Sequence, residues 1–442
     1  MSWIEDQLAE FGPKLAVQCT SGNRSYDDFL ERINAYAKQI KTAVPAGPFV
    51  IGISLKDTLD SLAAILAVAR LRHVALPLAQ ELATAELESQ LKISGGAFLL
   101  QDDGLRSVSE PSAAPVLLQQ LAKRQHAGLI LFSSGTSGEP KGMLHDLDVL
   151  LDRYKTVKPR NDRTVQLLLS DHIGGLDSAF RTLFAGSTMI VADARSPDAV
   201  AAAIESGKAT ILPASPTFLN LMRMANVFAK HDCSSLEVIA YGAEPMPQQL
   251  LAELCQHLPK VSFQQKFGTS ETGAIRIKSR RNDSLFFEIK DDGVEWQIVD
   301  EELWLKTSSR ILGYLNADES SLEADGWYRT GDLVEEEAGF IRIVGRSSGM
   351  INVGGQKVHP AEIEQVISEI EGILACSVFA KPAPITGDLI ACTIVTNDDA
   401  SLRDWKRRIR NHSRGRLAPW KIPAVIELND QLEVNERMKR RL

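Results

Sequence analysis

A segment rich in serine, threonine and glycine is the part of the chain best suited to bind phosphate. It follows the apolar run Gly128–Phe132 and reads Ser133-Ser134-Gly135-Thr136-Ser137-Gly138-Glu139-Pro140-Lys141-Gly142. A strand that leads into such a loop exposes backbone N–H groups and hydroxyls, and glycines let the backbone approach an anion closely. Lys141 adds a positive point charge. Because a Walker A loop requires Gly-Lys-Ser/Thr before a helix, this segment is either another kind of phosphate loop or a flexible surface loop.

Five later motifs favour the phosphate-binding interpretation because they complete a recognisable series. They are Tyr241–Met246, Phe267–Glu271, Gly326–Leu333, Ile343–Arg346 and Gly354–Glu364. In order and spacing the series resembles the adenylate-forming superfamily, which includes acyl-CoA synthetases, nonribosomal adenylation domains and firefly luciferase. The third of these motifs, Gly-Trp-Tyr-Arg-Thr-Gly-Asp-Leu, matches the family's most recognisable string at every position. The resemblance covers most of the chain and implies an enzyme that joins ATP and a carboxylic acid into an acyl-AMP.

The resemblance places most of these residues at an ATP site. Lys141 would contact the phosphates, and Glu271 would hold Mg²⁺, a hard cation that prefers oxygen ligands. Asp332 would accept hydrogen bonds from both ribose hydroxyls, and Arg346 would reach the ribose or a phosphate. The alternatives are a capped turn at Asp332 and a surface ion pair at Arg346. The remaining residues that the resemblance places against the nucleotide are Ser133, Ser134, Gly135, Thr136, Ser137, Gly138, Gly242, Ala243, Glu244, Phe267, Gly268, Thr269 and Ser270.

A second segment, Asp171–Leu176, bears on the acid substrate. It resembles the family's His-x-x-Gly segment, which implies that His172 lies beside the carboxylate of the acid. A lone histidine is as readily structural as functional, so both interpretations stay open here. Asp177 follows, and amino-acid-activating relatives place an aspartate near this position to hold an ammonium group. Because its register matches theirs poorly, we do not expect an amino-acid substrate.

The C-terminal tail departs from the family pattern at the catalytic position. Relatives end in Asn/Ser-Gly-Lys-Ile-x-Arg, whose lysine contacts the acid and the α-phosphate; here Glu436 replaces the glycine and Arg437 the lysine. Arginine keeps the charge but is a larger planar fork. Lys439 would substitute only if the loop shifted register. Two smaller departures are Phe267 for the usual Tyr, which keeps a ring for stacking, and Ser270 for the usual Thr.

The segment after Arg346 is expected to rotate as a lid. Its hinge would be Ser347-Ser348-Gly349, in which Ser348 replaces the usual Asp or Lys. After rotation, Gly354 and Gly355 would line the tunnel for the thiol of CoA or of an acyl carrier protein. The resemblance therefore implies ATP, Mg²⁺ and coenzyme A as cofactors. The altered tail also permits a second interpretation, an accessory protein that binds nucleotide, CoA or a carrier protein and adenylates weakly.

Bulk composition sets limits on partners and compartment. The 442 residues carry 49 Lys and Arg against 57 Asp and Glu, a net charge of −8, which argues against a general nucleic-acid binder. The N-terminus has no long apolar run and the stretch near Leu62–Ala69 is too short for a membrane span, so no targeting or spanning segment is predicted. Five scattered cysteines without metal-ligand spacing indicate a reducing compartment. We expect a cytoplasmic protein.

Alternating strand-like and helix-like segments must position these motifs. A capped helix from Ser25 to Lys41, a strand at Phe49–Ile53, a helix at Thr58–Ala69 and a strand at His73–Leu78 predict parallel crossovers. The same alternation predicts a strand at Leu167–Leu169. Short antiparallel strands follow Asn282, and an α+β segment follows Arg346. The predicted fold is α/β: a large N-terminal body of parallel and mixed sheets with helices and a short antiparallel part (1–346), then a small mobile α+β lid (347–442).

Overall fold

The computed structural model describes residues 2–80, 82–109, 116–133, 140–317, 321–383 and 387–431. The α-helices of these residues are α1 (Ser2–Ala9), α2 (Tyr26–Ala43), α3 (Thr58–Arg70), α4 (Thr84–Ser94), α5 (Val116–Arg124), α6 (Leu147–Asp152), α7 (Ile173–Phe184), α8 (Pro197–Gly207), α9 (Pro216–Met224), α10 (Val227–Lys230), α11 (Gln248–His257), α12 (Pro360–Ser368) and α13 (Leu402–Ser413). Short 3₁₀ turns lie at Ser347–Gly349 and Pro419–Lys421.

The strands of the N-terminal body belong to parallel, mixed and antiparallel parts. They are β1 (Leu15–Gln18), β2 (Arg24–Ser25), β3 (Val50–Ser54), β4 (Val74–Pro77), β5 (Gly96–Gln101), β6 (Gly104–Ser107), β7 (Gly128–Ser133), β8 (Lys141–Asp146), β9 (Arg163–Val165), β10 (Thr188–Ile190), β11 (Ile211–Ala214), β12 (Val238–Tyr241), β13 (Ser262–Gln265), β14 (Phe267–Thr269), β15 (Gly273–Ile275), β16 (Ile277–Ser279), β17 (Phe287–Ile289), β18 (Val294–Val299), β19 (Glu302–Thr307), β20 (Gly313–Tyr314), β21 (Tyr328–Glu337) and β22 (Phe340–Arg346). The C-terminal strands are β23 (Ile351–Val353), β24 (Gln356–Val358), β25 (Ile373–Ala383), β26 (Gly387–Thr396) and β27 (Val425–Leu428).

Local sequence explains where α2 begins and which face it buries. Ser25 accepts a hydrogen bond from the Asp28 backbone N–H, and the Asp28 carboxylate accepts one from the Ser25 N–H, which forms a capping box. Phe29, Ile33 and Ile40 lie on one helical face and are buried. The predicted helix is confirmed and continues two residues beyond Lys41, to Ala43.

Two large sheets form most of the N-terminal body. The first has the order β20-β8-β7-β4-β3-β5-β6, with β3, β4, β5 and β7 parallel and the others antiparallel to their neighbours. The second has the order β13-β12-β11-β9-β10-β1-β2 and is parallel except for β2. Helices between parallel strands cover these sheets with apolar faces, as crossover connections require. The predicted α/β body is confirmed.

Antiparallel strands follow, as the sequence predicts. A third sheet has the order β16-β17-β22-β21-β19-β18, and β14 pairs with β15 beside it. Its core contains Phe267, Phe287, Leu303, Leu305 and Ile341. The strand β21 runs antiparallel to β22 and places Asp332 opposite Arg346. The third sheet therefore brings two of the predicted nucleotide residues together through backbone pairing alone.

The C-terminal part is a small α+β unit on its own apolar core. Strands β24, β23, β26, β25 and β27 form its sheet, and α12 and α13 pack on that sheet around Trp405, Ile363 and Ile409. Two side chains of the body donate to one of its carbonyls: Asn220 Nδ2 and Arg223 Nη2 reach Leu374 O over 3.0 and 3.1 Å. Arg223 also pairs with Glu253 of α11 at 3.0 Å. The predicted boundary at 346/347 stays a prediction.

The strand predicted at Leu167–Leu169 is wrong. The observed strand, β9, lies four residues earlier at Arg163–Val165. Thr164 and Val165 are buried and pair with β10, whereas the leucine run has left the ladder. A short apolar run has no periodicity that distinguishes a strand from a packed loop, so the leucines alone do not locate the strand.

Among the helices of the described residues, none is long and apolar enough to cross a bilayer.

Candidate functional site

The carboxyl ends of four parallel strands define one edge of the second sheet. Strands β9, β11, β12 and β13 are neighbours in that sheet, so the segments after them meet at this edge, where open α/β sheets bind ligands. Gly242 follows β12 and Lys266 follows β13. A side chain at Gly242 would place its Cβ 2.6 Å from the Lys266 carbonyl oxygen, so glycine is needed for this close approach.

The loop predicted to lie along the adenine is strained. Ala243 has φ +70°, a left-handed conformation that costs a non-glycine residue of the order of 1–2 kcal/mol. A hydrogen bond fixes the Glu244 side chain: its Oε1 accepts from the Thr217 N–H, 2.7 Å away, at the N-terminus of α9. An anionic carboxylate is favoured at that position. The adenine contacts of Gly242, Ala243 and Glu244 stay predictions.

A compact turn directs the segment Gly268–Thr272. Thr269 Oγ1 accepts hydrogen bonds from the N–H groups of Glu271 and Thr272, at 3.2 and 3.1 Å. Gly268 has φ +151°, and a side chain there would collide with the Gly273 carbonyl. These bonds fix the direction in which Glu271 leaves the turn. Phe267, the first residue of β14, packs its ring against Phe287 at 5.5 Å and is 7% exposed. Its stacking on adenine stays a prediction.

Glu271 is tied to two tyrosines. Tyr314 donates its hydroxyl to Glu271 Oε1 over 2.9 Å. Burial and the Glu271 charge both raise the pKa of Tyr328, which lies beside the same carboxylate. Tyr314 belongs to β20, which pairs with β8, and Tyr328 begins β21. Glu271 is therefore held where the first and third sheets meet.

The end of the predicted phosphate loop is fixed by Asn316. Its Oδ1 accepts a hydrogen bond from the Gly142 N–H and its Nδ2 donates to the Pro140 carbonyl, both over 2.9 Å. Lys141 begins β8 directly opposite Ser133. The predicted contacts of Ser134, Gly135, Thr136, Ser137 and Gly138 lie outside the described residues, as do those of Glu436, Arg437 and Lys439.

Asp332 and Arg346 form an ion pair between a buried carboxylate and an exposed guanidinium group. Arg346 Nε donates to Asp332 Oδ1 over 2.9 Å, and Asp332 is 6% exposed. Burial raises the pKa of Asp332, Arg346 opposes this, and the charges of Glu271 and Glu302 raise it further. The Glu302 carboxylate accepts a hydrogen bond from the Gly331 N–H over 2.8 Å, which orients the turn before Asp332. Three carboxylates thus share one small region, which favours a cation or hydroxyl donors between them.

His172 is the residue directly before α7, in the segment that follows β9, and its side chain makes no capping hydrogen bond. Its Nε2 is 3.8 Å from an Asp171 carboxylate oxygen, and its side chain is 22% exposed. A side chain at Gly175 would collide with the Leu169 carbonyl, so the glycine sets how closely α7 approaches the preceding loop. Asp177 accepts a hydrogen bond from the Tyr154 hydroxyl over 2.7 Å. That bond ties Asp177 to the core residue Tyr154, and the expectation that the substrate is not an amino acid stays a prediction.

The hinge and the glycine pair lie on the surface. Ser347–Gly349 forms an exposed 3₁₀ turn. Gly354 and Gly355 occupy the tip of the β23–β24 hairpin with φ +59° and +86°, and a Cβ at either would meet nothing within 4 Å. The positive φ values explain why glycine is favoured at the tip. Their predicted contact with a thiol arm stays a prediction.

Sequence reasoning missed Tyr314, Asn316, Glu302 and Lys266. Tyr314 and Asn316 lie in or just after a two-residue strand, which has no period to detect. Glu302 acts through a hydrogen bond across strands. Lys266 directly precedes the Phe267–Glu271 motif, and residues after parallel strands line ligand sites, but the sequence analysis predicts no strand before Lys266 to which that rule could apply.

Comparison with known proteins identifies the family. The AMP-binding enzyme family matches residues 4–304, and the AMP-binding enzyme C-terminal domain matches residues 362–439. A 2-succinylbenzoate–CoA ligase of Geobacillus sp. is 25% identical, with 99% of this chain and 95% of that protein aligned. A feruloyl-CoA synthase of Amycolatopsis sp. is 26% identical over 77% of this chain and 71% of that protein.

Solved structures share the fold over nearly the whole chain. The anthranilate CoA ligase AuaEII in complex with anthranoyl-AMP superposes with a TM-score of 0.80 at 19% identity, covering 98% of this chain and 95% of the other. ATP-bound MatB from Rhodopseudomonas palustris gives 0.79 at 21% identity, covering 98% and 96%. The prediction of an AMP-forming enzyme of the acyl-CoA synthetase kind is confirmed by the family matches and the named relatives. Since the first family match spans well over half of the sequence, this chain belongs to the AMP-binding enzyme family, the adenylate-forming superfamily that its motifs predict.

Proposed function

We propose that this protein activates a carboxylic acid with ATP and transfers the acyl group to the thiol of coenzyme A. The observation that carries the proposal is the meeting of Glu271 with the Asp332–Arg346 pair. Gly242, at the carboxyl end of β12, adds a close-packed turn. Carboxylates, a guanidinium and a close-packed glycine turn are the groups that a ribose, a metal-bound triphosphate and an adenine require. The relatives named as CoA ligases and CoA synthases support an acid and CoA as substrates.

The first half-reaction forms the acyl-AMP. A carboxylate oxygen of the acid attacks the α-phosphorus in line, which forms a C–O–P bond and breaks the bond from the α-phosphorus to the bridging oxygen. Pyrophosphate leaves with that electron pair. Lys141 and the amides of its loop stabilise the charge that grows on the phosphates, and His172 lies where the acid carboxylate is proposed to bind. Asp332 holds the ribose, so its ionised form is needed.

Glu271 fits a divalent cation by the chemistry of its surroundings. Its carboxylate supplies the oxygen ligands that Mg²⁺ prefers, Tyr314 orients one oxygen, and Asp332 adds nearby negative charge. When bound, magnesium supplies charge neutralisation for the triphosphate. Glu271→Gln removes one charge at nearly constant shape, so nucleotide-dependent activity should need more magnesium. A magnesium titration that matches wild type would assign Glu271 a structural role.

The second half-reaction uses the C-terminal unit as a lid. The thiol sulfur attacks the acyl carbonyl carbon, the C–O bond to AMP breaks, and AMP leaves while the thiol proton passes to solvent. The proposed boundary is 346/347, with rotation at Ser348. Gly354 and Gly355 then lie along the thiol arm, where side chains would obstruct it. The exposed hinge turn and the open hairpin tip support this assignment.

The tail favours a second candidate function. Arg437 and Glu436 replace residues on which adenylation depends in relatives, so an accessory protein that binds nucleotide, CoA or a carrier protein would carry this tail without loss. A pyrophosphate-release screen with ATP, magnesium and a panel of acids separates the two. Acid-dependent pyrophosphate release, and acyl-CoA by mass spectrometry once CoA is added, support the ligase. ATP binding without pyrophosphate release for any acid supports the accessory function. Acyl transfer to a carrier protein but not to CoA would change the thiol substrate only.

A further inference from the structure

Lys266 lies at the sheet edge where the proposed acid and nucleotide meet. It follows β13, and its carbonyl packs against Gly242, which lies in the loop after the neighbouring strand β12. Lys266 is exposed at the surface. Desolvation by its neighbours and the charge of Arg181 lower its pKa, while Asp177 opposes them. The two charged side chains of α7, Asp177 and Arg181, therefore both act on the ammonium group of Lys266. Its Nζ donates to Gln264 Oε1 over 3.4 Å, a long hydrogen bond.

The charges around Lys266 do not balance. Asp177 lies 3.7 Å from Arg181 and 3.9 Å from Arg153, so one carboxylate already faces two guanidinium groups. Its oxygen also accepts the Tyr154 hydroxyl. Arg153 approaches Asp291 as well, at 4.0 Å, but Arg276 shares that carboxylate. Adding Lys266 leaves an excess of positive charge beside α7, which a bound anion would offset.

A cleft continues from Lys266 along the outer edge of β13. Its volume is about 460 Å³, within the range of small-molecule sites. Lys266, Lys278 and Arg281 supply its cations, and Gln264, Gln265 and Asn282 supply amides; none of the described residues that line it is acidic. Arg281 is paired with Asp283 at 3.2 Å, whereas Lys278 has no ion pair with another described residue. This β13 cleft suits a ligand that carries negative charge and accepts hydrogen bonds.

We propose that the acid activated by this protein carries a second anionic group, which Lys266 and the β13 cleft bind while the reacting carboxylate lies at His172. The inference rests on the proposed function. At 1.5 Å per helical residue, Asp177 and Arg181 lie about 7 and 13 Å along α7 from His172, so the second group is separated from the first by a comparable distance. The substrate class is a dicarboxylic acid of intermediate length, or a carboxylic acid with a sulfonate or phosphate at that distance.

The test compares acids that differ only in the second charge. Octanedioate is set against octanoate, and decanedioate against decanoate, in ATP–pyrophosphate exchange with wild type, Lys266→Met, Lys266→Arg and the control Lys260→Met. Lys260 is exposed and lies before the opposite end of β13. We expect wild type to favour the dicarboxylates. Lys266→Met should lower kcat/KM about 10- to 100-fold for the dicarboxylates alone, the loss of one charge-assisted bond. Lys266→Arg should keep the preference, and Lys260→Met should match wild type.

Two results overturn the inference: a wild-type preference for monocarboxylates, or an equal loss for both acids in Lys266→Met. Unchanged ATP affinity by calorimetry excludes misfolding of the variants. Calorimetric binding of the dicarboxylates, which needs no turnover, separates this inference from the proposed function. Lys266-dependent binding without pyrophosphate exchange would support the second anion site while it contradicts the ligase. Pyrophosphate exchange without any Lys266-dependent dicarboxylate binding would support the ligase and contradict the second anion site.

Discussion

The nucleotide side and the thiol side of this protein differ in how their residues are held. Glu271 and Asp332 each have hydrogen-bonding partners on other strands, and Asp332 is almost fully buried. A Cβ added at Gly354 or Gly355 would meet nothing within 4 Å, so the space around this hairpin tip is open. A site that binds one ligand in one geometry gains from preorganised groups, whereas a segment that acts only after a rotation must be free to leave its place. Substitutions on the two sides should therefore separate the two half-reactions.

The tail gives the largest expected difference between the half-reactions. Arg437 occupies the position of the adenylation lysine beside Glu436, and a misplaced catalytic group costs on the order of 100-fold in rate. We expect Arg437→Lys combined with Glu436→Gly to speed acyl-AMP formation by about that factor, measured in a single turnover by rapid quench. Thioester formation from supplied acyl-AMP is the control and should not change. A double variant no faster than wild type, with wild type already turning over at about 10 per second, would show that the departure is harmless.

Asp332 tests the preorganised side. Asp332→Ala removes the proposed ribose acceptor and leaves Arg346 without its partner, so ATP affinity should fall about 10- to 100-fold, the range for hydrogen bonds to a charged group. Isothermal calorimetry measures it. Asp292→Ala, an exposed aspartate in the loop between β17 and β18, serves as the control. Equal ATP affinity in Asp332→Ala and wild type would remove Asp332 from the nucleotide site.

His145 links the same side to pH. It is fully buried on β8 against the Ser270 backbone, and burial lowers its pKa to about 4. An unfolded histidine binds a proton near pH 6.5, so stability should be lost as pH falls from 6.5 towards 4, by about 2 kcal/mol at pH 5. Urea unfolding at pH 7 and pH 5 should show a smaller difference for His145→Gln than for wild type. His257→Gln, at an exposed histidine, should keep the wild-type difference; a full difference in His145→Gln would contradict the assignment.

Gly355 gives the smallest expected effect and should appear on the thiol side alone. Gly355→Val puts a branched side chain into the proposed thiol path, so CoA-dependent turnover should fall roughly 10-fold, about 1.4 kcal/mol of transition-state free energy. The variant also strains the backbone, because Gly355 has φ +86°. Pyrophosphate exchange should stay at the wild-type rate. Gly339→Val, at φ +80° on another open hairpin, controls for strain itself. Equal losses in both half-reactions would place the hairpin outside the thiol path.

Sequence carried much of the fold and part of the site. The capped start of α2 and the strand–helix alternation were readable because capping and periodicity are local. The displacement of β9 from Leu167–Leu169 to Arg163–Val165 was not, since pairing with β10 decides it. Asp332 and Glu271 were found through their motifs. Tyr314 and Asn316, which hold Glu271 and Gly142, act across about 43 and 174 residues of sequence, and no local pattern reports such partners.

The hydrogen bonds to the Leu374 carbonyl limit which substitutions can remove the contact between α9 and β25. Asn220 and Arg223 both donate to a main-chain carbonyl, so no replacement of the Leu374 side chain removes the acceptor. A mutation changes this contact only if it replaces a donor on α9 or shifts the backbone of β25. This contact is thus insensitive to substitution of the Leu374 side chain and sensitive to substitution of Asn220 and Arg223. Homologues that hold the unit differently should diverge first at the positions of Asn220 and Arg223.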